Sequence, residues 1–259
     1  MRRQTIGFDR KLDIEWLDAT AAMVANGASP QEVRERLRRF LEGNLKGDSD
    51  RGAMDKTITV LIRLWSDIPA ERLPLRDRAA GLLPQLEPQY RLGVHWALAL
   101  AAYPLFTDIA SACGRLLVLN DSVVLSQVVR RVAELWGQRS TLPRAVQRIV
   151  RSMVQWGALS DTSTRGSYGA TSPKLRLPNN AAELLLEALL LGAEQDVMTV
   201  DQLVGHPALF PFALSISAHD LRSSTRFRVE RQGLDMDMVA LEKLPRAKAS
   251  GTDLFPDQQ

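Results

Sequence analysis

Apolar residues recur at intervals of three and four along the first half of the chain, which is the spacing of one face of an α-helix. Turn and cap signals divide this half into separate helices. Asn26-Gly27 ends the first helix, and Ser29-Pro30-Gln31-Glu32 opens the second with the residues of a capping box. Helices are predicted over residues 14–25, 30–41, 53–65, 75–83, 88–102 and 104–117.

The periodicity changes after residue 120. Two helices are predicted over residues 121–136 and 141–156, the second capped by Ser140 and Thr141 and closed by Gly157. A short strand at 158–160, a polar tip with two glycines at 161–172 and an alternating strand at 173–178 follow. Helix, helix, strand, tip and strand is the order that ends a winged helix-turn-helix domain.

The last part of the chain has a mixed pattern. An acidic amphipathic helix is predicted over 181–191, a short helix over 199–204, and strands over 212–216 and 226–231. Leu234, Met236 and Met238 alternate on a return strand. A second winged module and a small α+β unit both fit this order. The predicted fold is therefore mainly α, with a helical domain (1–118), a winged helix-turn-helix (119–178), an acidic helix plus α+β element (179–243) and a flexible tail (244–259).

Charge distribution gives the first indication of function. The 259 residues are 45% hydrophobic and 24% charged, an ordinary globular mixture, and the net charge is only +3. Residues 130–178 nevertheless hold nine basic and two acidic side chains, a net +7, so the remainder carries −4. A localised basic segment in a nearly neutral chain is typical of a nucleic-acid-binding surface, and a solvated helix face is the alternative.

The basic residues of helix 141–156 are expected to share one side, within an arc of about 100° at helical spacing. Arginine can contact guanine with two donors and glutamine can pair with adenine, so such a stripe suits the major groove of double-stranded DNA. The helix N-terminus can donate to a phosphate, and the wing can contact the backbone. The predicted DNA-binding residues are Ser140, Thr141, Arg144, Gln147, Arg148, Arg151 and Gln155 from the helix, Arg165 and Tyr168 from the tip, and Lys174 and Arg176 from the returning strand.

Classes of function other than DNA binding also fit parts of the sequence. A winged helix used for protein contacts, a scaffold whose acidic helix 181–191 recruits partners, and a dimeric transcription regulator remain open. Glu230, Asp235 and Asp237 suggest a nuclease metal site, but a solvated strand face is favoured for them. The sequence has no phosphate-binding glycine loop or His-Glu-x-x-His motif, so neither catalysis nor a cofactor nor a metal is expected.

Several single residues are expected to serve the core. Trp16, Trp65 and Trp96 lie at helical spacing and are predicted to be core anchors. His95 has no second histidine or carboxylate in its turn, so a buried, hydrogen-bonded histidine is expected. Cys113 has apolar neighbours and cannot form an internal disulfide, which fits a reducing cytoplasm. The longest nearly apolar run, residues 94–106, is shorter than a membrane span of about 20 residues, and residues 1–5 contain no apolar leader, so a cytoplasmic location is expected.

The order of elements resembles the BrxA family of BREX bacteriophage-exclusion systems over residues 10–212. The resemblance rests on residues 12–24, Glu42-Gly43-Asn44, residues 57–65, Gln89-Tyr90-Arg91-Leu92, Ala102-Tyr103-Pro104-Leu105-Phe106, Gly157-Ala158-Leu159 and Leu209-Phe210-Pro211. Residues from 213 onward extend beyond the pattern. The resemblance implies a non-enzymatic DNA-binding component of a phage-defence system, which acts beside a methyltransferase and other large partners.

Overall fold

The computed structural model describes residues 6–42, 51–193, 197–233 and 236–242. Gly43-Asn44 of the family resemblance, Leu234 of the return strand, Asp235 of the nuclease hypothesis and the predicted tail (244–259) lie outside the described residues. The described chain is mainly helical with small sheets, which confirms the mainly-α class.

The N-terminal part is helical as predicted. Its helices are α1 (Ile14–Ala25), α2 (Pro30–Leu41), α3 (Arg51–Trp65), α4 (Leu73–Leu82), α5 (Arg91–Ala102) and α6 (Pro104–Leu119). The capping box of α2 is formed: the Ser29 N–H donates to the Glu32 carboxylate at 2.8 Å, and the Glu32 N–H donates to Ser29 Oγ at 3.3 Å. Gly27 ends α1 with a φ of +77°, a conformation that favours glycine.

No described helix alone is long and apolar enough to cross a bilayer. The segments Pro88–Ala102 and Pro104–Leu119 reach the length and apolar character of a span only when taken together, and they are bent by 119° at the break between them.

A first unit of helices and strands begins with α6. It continues through β1 (Ser122–Val124), α7 (Leu125–Trp136), α8 (Leu142–Gln155), β2 (Leu159–Asp161) and β3 (Ser167–Ala170). The three strands form an antiparallel sheet in the order β1-β3-β2, with Val123 opposite Tyr168 and Ser160 opposite Gly169. The helix α6 packs against α7, α8 and β1. The order of this unit is thus helix, strand, helix, helix, strand, strand.

Two predictions of secondary structure in this unit are wrong, one of a helix start and one of a strand. Residues 122–124 form a strand and do not begin the helix, because the β-branched pair Val123-Val124 suits an extended backbone. The strand that returns from β2 is β3, and residues 173–178 contain only the short strand β4 (Leu175–Arg176). The connecting turn is therefore residues 162–166, and Gly166, with a φ of +79°, closes it.

A second unit follows with the same topology as the first. It contains α9 (Asn179–Gly192), β5 (Val197–Thr199), α10 (Val200–Val204), β6 (Phe212–Ala213), α11 (Ala218–Ser223), β7 (Phe227–Gln232) and β8 (Met236–Leu241). The strands β5, β8 and β7 form an antiparallel sheet in the order β5-β8-β7, which matches β1-β3-β2. Outside this match, β6 pairs in parallel with β4. The chain therefore contains two units with equivalent connections.

The helix predicted as an acidic outer surface is internal. Glu187 of α9 is only 2% exposed, and its carboxylate binds the guanidinium groups of Arg78 and Arg226, the latter at 2.6 Å. Ser224 Oγ donates to the other acid of the helix, Glu183, at 3.0 Å. Burial, together with the charge of Arg226, lowers the pKa of Arg78 to about 10. Of the two acids of this helix, Glu187 is thus committed to internal ion pairs, and Glu183 is partly buried.

The single residues expected in the core are buried. Trp16, Trp65 and Trp96 are 7%, 0% and 0% exposed. The His95 ring is buried with Nε2 at 2.9 Å from Asp18 Oδ1, and burial lowers the pKa of His95. Burial also raises the pKa of the Cys113 thiol to about 12, which leaves it protonated and unreactive at neutral pH.

Gly114 of α6 lies where the second unit packs on this helix, so substitution there tests how close the packing is. A Cβ added at Gly114 would overlap the backbone carbonyl of Pro207 and approach Phe210 Cβ at 3.1 Å. We expect Gly114→Ala to lower the free energy of unfolding by about 3 kcal/mol, because backbone cannot move aside as easily as a side chain. Urea unfolding followed by circular dichroism measures this change.

The matched control is Gly81→Ala on α4, where an added Cβ meets nothing within 4 Å. This variant should be unchanged or more stable by up to about 1 kcal/mol, since alanine is the better helix former. Equal stability of the two variants would contradict the close contact between α6 and Pro207.

Candidate nucleic-acid interface

The helix α8 is the element on which the predicted site depends. Its apolar side is buried and consists of Leu142, Ala145, Val146, Ile149, Val150 and Met153. Pro143 lies in the first turn, where a missing N–H costs no hydrogen bond, and Gly157 ends the helix with a φ of +77°. Packing of this apolar stripe on α6 and α7 turns the polar side of α8 away from the unit's core.

The N-terminal segment, residues 8–14, covers the C-terminal half of that polar side. The Leu12 N–H donates to Ser152 Oγ at 2.8 Å, and the Ile14 N–H donates to Gln155 Oε1 at 2.7 Å. The Trp156 indole N–H donates to the Leu12 carbonyl at 2.9 Å. The Gln155 amide oxygen thus serves a backbone contact within the protein and is not presented to a groove.

Arg148 is also drawn into this contact. Its Nη1 donates to the Asp9 carbonyl at 2.6 Å and lies 3.9 Å from the Asp9 carboxylate, and its side chain is 25% exposed. Burial lowers the pKa of Arg148, and the positive charges of Arg10 and Arg144 lower it further. Arg148 therefore holds the N-terminal segment against α8.

The exposed part of the predicted stripe is narrower than the sequence indicated. Arg144 and Gln147 are exposed on α8, and Arg151 is paired with Asp161 of β2 at 2.5 Å. Ser140 and Thr141 are exposed at the start of the helix, and Arg165 is exposed in the turn 162–166 that follows Asp161. We call this set the α8 surface: Ser140, Thr141, Arg144, Gln147, Arg151 and Arg165.

The remaining predicted residues lie elsewhere. Tyr168 is 4% exposed, because β3 is the central strand of its sheet and carries the ring into the core opposite Val123. Its predicted contact with a nucleic-acid backbone is therefore wrong. Lys174 and Arg176 line a separate cavity with Trp156, at the opposite end of α8 from Ser140. They do not extend the α8 surface, since β4 pairs with β6 and not with β2 or β3.

Sequence reasoning missed two cations beside the α8 surface. Arg10, from the N-terminal segment, and Lys56, from α3, line a cavity together with Arg144 and Arg148. They lie outside the basic segment 130–178 and share no spacing with α8, so only tertiary contacts bring them to it. The sequence contains no local signal that would have identified them.

The two described acids of the nuclease hypothesis, Glu230 and Asp237, do not lie together. Glu230 is opposite Met238 and Asp237 is opposite Arg231, so successive register places the two acids on opposite faces of the hairpin. Arg228 lies 3.3 Å from Glu230, and Arg222 binds Asp237. Among the described residues there is no group of three or more His, Cys, Asp or Glu side chains placed to hold a metal ion.

Comparison of the chain with protein-family models, with curated proteins and with solved structures gives no match. The candidate function therefore depends on the geometry of α8 and its surroundings.

The division of α8 into a covered half and an exposed half can be tested by stability. Ser152→Ala and Gln155→Ala each remove the acceptor of a backbone N–H of the N-terminal segment, and we expect each to lower the free energy of unfolding by about 1–3 kcal/mol. Chemical denaturation measures the change.

Gln147→Ala is the matched control, because it shortens an exposed glutamine on the same helix. Its stability should stay within about 0.5 kcal/mol of the unsubstituted protein. If Gln155→Ala were as stable as Gln147→Ala, the contact between the N-terminal segment and α8 would not hold the fold.

Proposed function

We propose that the protein binds double-stranded DNA through the first unit, acting as a winged helix. The helix α8 would be the recognition helix and the turn 162–166 the wing. One observation carries this proposal: an exposed basic edge of α8 lies beside an exposed turn that carries Arg165. This placement follows from the element order α6, β1, α7, α8, β2, β3 and the sheet order β1-β3-β2.

The α8 surface suits phosphate contacts more than extended base readout. The start of α8 presents Ser140 and Thr141, whose hydroxyls can donate to phosphates, and the Thr141 side chain makes no capping hydrogen bond. Gln147 is the exposed side chain of α8 that could pair with a base edge in a major groove, whereas Arg144, near the helix start, is assigned to the phosphate backbone. With Arg148 and Gln155 bound to the N-terminal segment, one candidate reader remains on the exposed edge. We therefore propose binding with low sequence preference.

We propose that the second unit is also a winged helix, but that it is not the DNA-binding one. Its arginines have acidic partners: Arg222 binds Asp237, Arg226 binds Glu187, and Arg228 lies near Glu230. The helix that corresponds to α8 is α11, which has only 6 residues. Neither its charge nor its length favours insertion into a groove.

We propose that this chain acts in phage defence in the bacterial cytoplasm and has no catalytic role. The basis of this proposal is the resemblance to the BrxA family. The genes that adjoin its own gene test this part. A methyltransferase gene and a large ATPase gene beside it would support the setting, and an operon of unrelated metabolic enzymes would contradict it.

The test of DNA binding is the affinity for a duplex of about 25 base pairs, measured by fluorescence anisotropy from low to moderate salt. We expect log affinity to fall linearly with log salt, with a slope of about 0.9 for each neutralised phosphate. Arg144→Ala and Arg165→Ala should each weaken binding and reduce the slope by up to about 0.9, because each removes a cation that faces the backbone.

Arg176→Ala is the matched control, since it removes an exposed arginine of β4 outside the α8 surface. It should leave both affinity and slope unchanged. No measurable binding by the full chain at low salt would refute the proposed function. A strong preference for one palindromic sequence would favour a dimeric transcription regulator over a component that binds duplexes generally.

A further inference from the structure

The cavity next to α8 is formed by three parts of the chain that are far apart in sequence. Arg10 comes from the N-terminal segment, Lys56 from α3, and Arg144 and Arg148 from α8, and together with Asp9 and Ser140 they enclose about 410 Å³. Four cations face a single carboxylate across this space. Like charges repel, and an anion that entered this space would be attracted by all four of them.

The one carboxylate does not neutralise the four cations. Asp9 lies 3.8 Å from Arg10 Nε and 3.9 Å from Arg148 Nη1, both beyond direct hydrogen-bond distance. Arg10 Nε is buried and makes no hydrogen bond within the described residues. Among those same residues, neither Lys56 nor Arg144 takes part in an ion pair. Arg10 Nε, Lys56 and Arg144 therefore keep donor capacity that no described residue uses.

The lining of the cavity identifies the chemistry of its ligand. Ala145 is the one apolar residue among the described residues that line it, and none of them is aromatic. A nucleobase would find no aromatic ring on which to stack, whereas a tetrahedral oxyanion would find guanidinium, ammonium and hydroxyl donors. The cavity also opens at the N-terminus of the 14-residue helix α8, whose dipole favours negative charge.

We infer that this cavity is a clamp for one backbone phosphate of the bound duplex, with Arg10, Lys56 and Arg144 as its donors. The inference rests on the proposed function. It means that the N-terminal helical part contacts the DNA directly, through Arg10 and Lys56. Arg148 would act as a positioning residue, because its hydrogen bond to the Asp9 carbonyl holds the adjacent Arg10 over α8.

The expected consequence is a sequence-independent loss of affinity when a donor is removed. Lys56→Ala and Arg10→Ala should each remove part of the slope of about 0.9 that one neutralised phosphate contributes, and weaken binding by up to about eightfold at 0.1 M salt, equally for duplexes of different sequence. Lys56 is exposed, so its variant tests the clamp without disturbing the packing of the N-terminal segment.

Lys11→Ala is the matched control for Arg10→Ala. Lys11 adjoins Arg10 in the chain, is about half exposed and pairs with Asp13 at 3.0 Å, and it does not line the cavity. Its removal should leave affinity and slope unchanged. Thermal unfolding of each variant confirms that the folded protein is being compared.

Two results would overturn the clamp while leaving the proposed function standing. In the first, the full chain binds the duplex and Arg144→Ala weakens it, but Lys56→Ala and Arg10→Ala keep the full slope. In the second, inorganic phosphate at constant ionic strength raises the melting temperature of the full chain but not of Lys56→Ala, while duplex affinity is equal in both; the cavity would then be a site for free phosphate. Failure of the full chain to bind any duplex would instead refute the proposed function itself.

Discussion

The N-terminal helices, the first unit and the second unit all depend for their arrangement on contacts with the buried indole of Trp96. Its ring lies 4.9–6.1 Å from the rings of Phe106, Trp156, Phe210 and Phe212. Its N–H donates to the Ala208 carbonyl at 3.0 Å, so its one polar atom is satisfied inside the core. Phe106 and Trp156 belong to the first unit, and Phe210 and Phe212 to the second. The two units and the N-terminal helices therefore share one hydrophobic core, and removing any of the three would expose aromatic surface of the others.

This shared core determines how much of α8 reaches solvent. Trp156 ends α8 inside the aromatic cluster and donates to the Leu12 carbonyl, so the end of the helix and the N-terminal segment are fixed to each other. The segment runs alongside α8 in the same direction: Asp9 accepts from Arg148, Leu12 donates to Ser152, and Ile14 donates to Gln155. The half of the helix that remains exposed is the N-terminal half, where the dipole and the basic side chains both favour an anion. The N-terminal part thus restricts the helix and at the same time brings Arg10 beside it.

Local signals predicted the elements well, and long-range contacts account for most of the errors. The capping box at Ser29, the glycine ends at Gly27 and Gly157, and the opposite apolar and basic sides of α8 depend on neighbours within a turn or two, so the sequence contains them. The alternation in residues 173–178 predicted a strand but could not name its partner, which is β6 and not β2. In the same way, the periodicity of α8 identified its polar side but not the segment that covers half of it. Arg10 and Lys56 were missed for the same reason.

The two units show that equal topology does not imply equal surface chemistry. In the second unit, Glu187 is buried between Arg78 and Arg226, and an ion pair of this kind is costly to break because either partner would be left charged in a low-dielectric core. Its charges are therefore committed to holding α4, α9 and β7 together. In the first unit, Arg144 and Arg165 face water, where an uncompensated charge costs little and stays available to a partner. The distribution of acids, and not the fold of either unit, thus decides which of the two leaves arginines such as Arg144 and Arg165 exposed without an acidic partner.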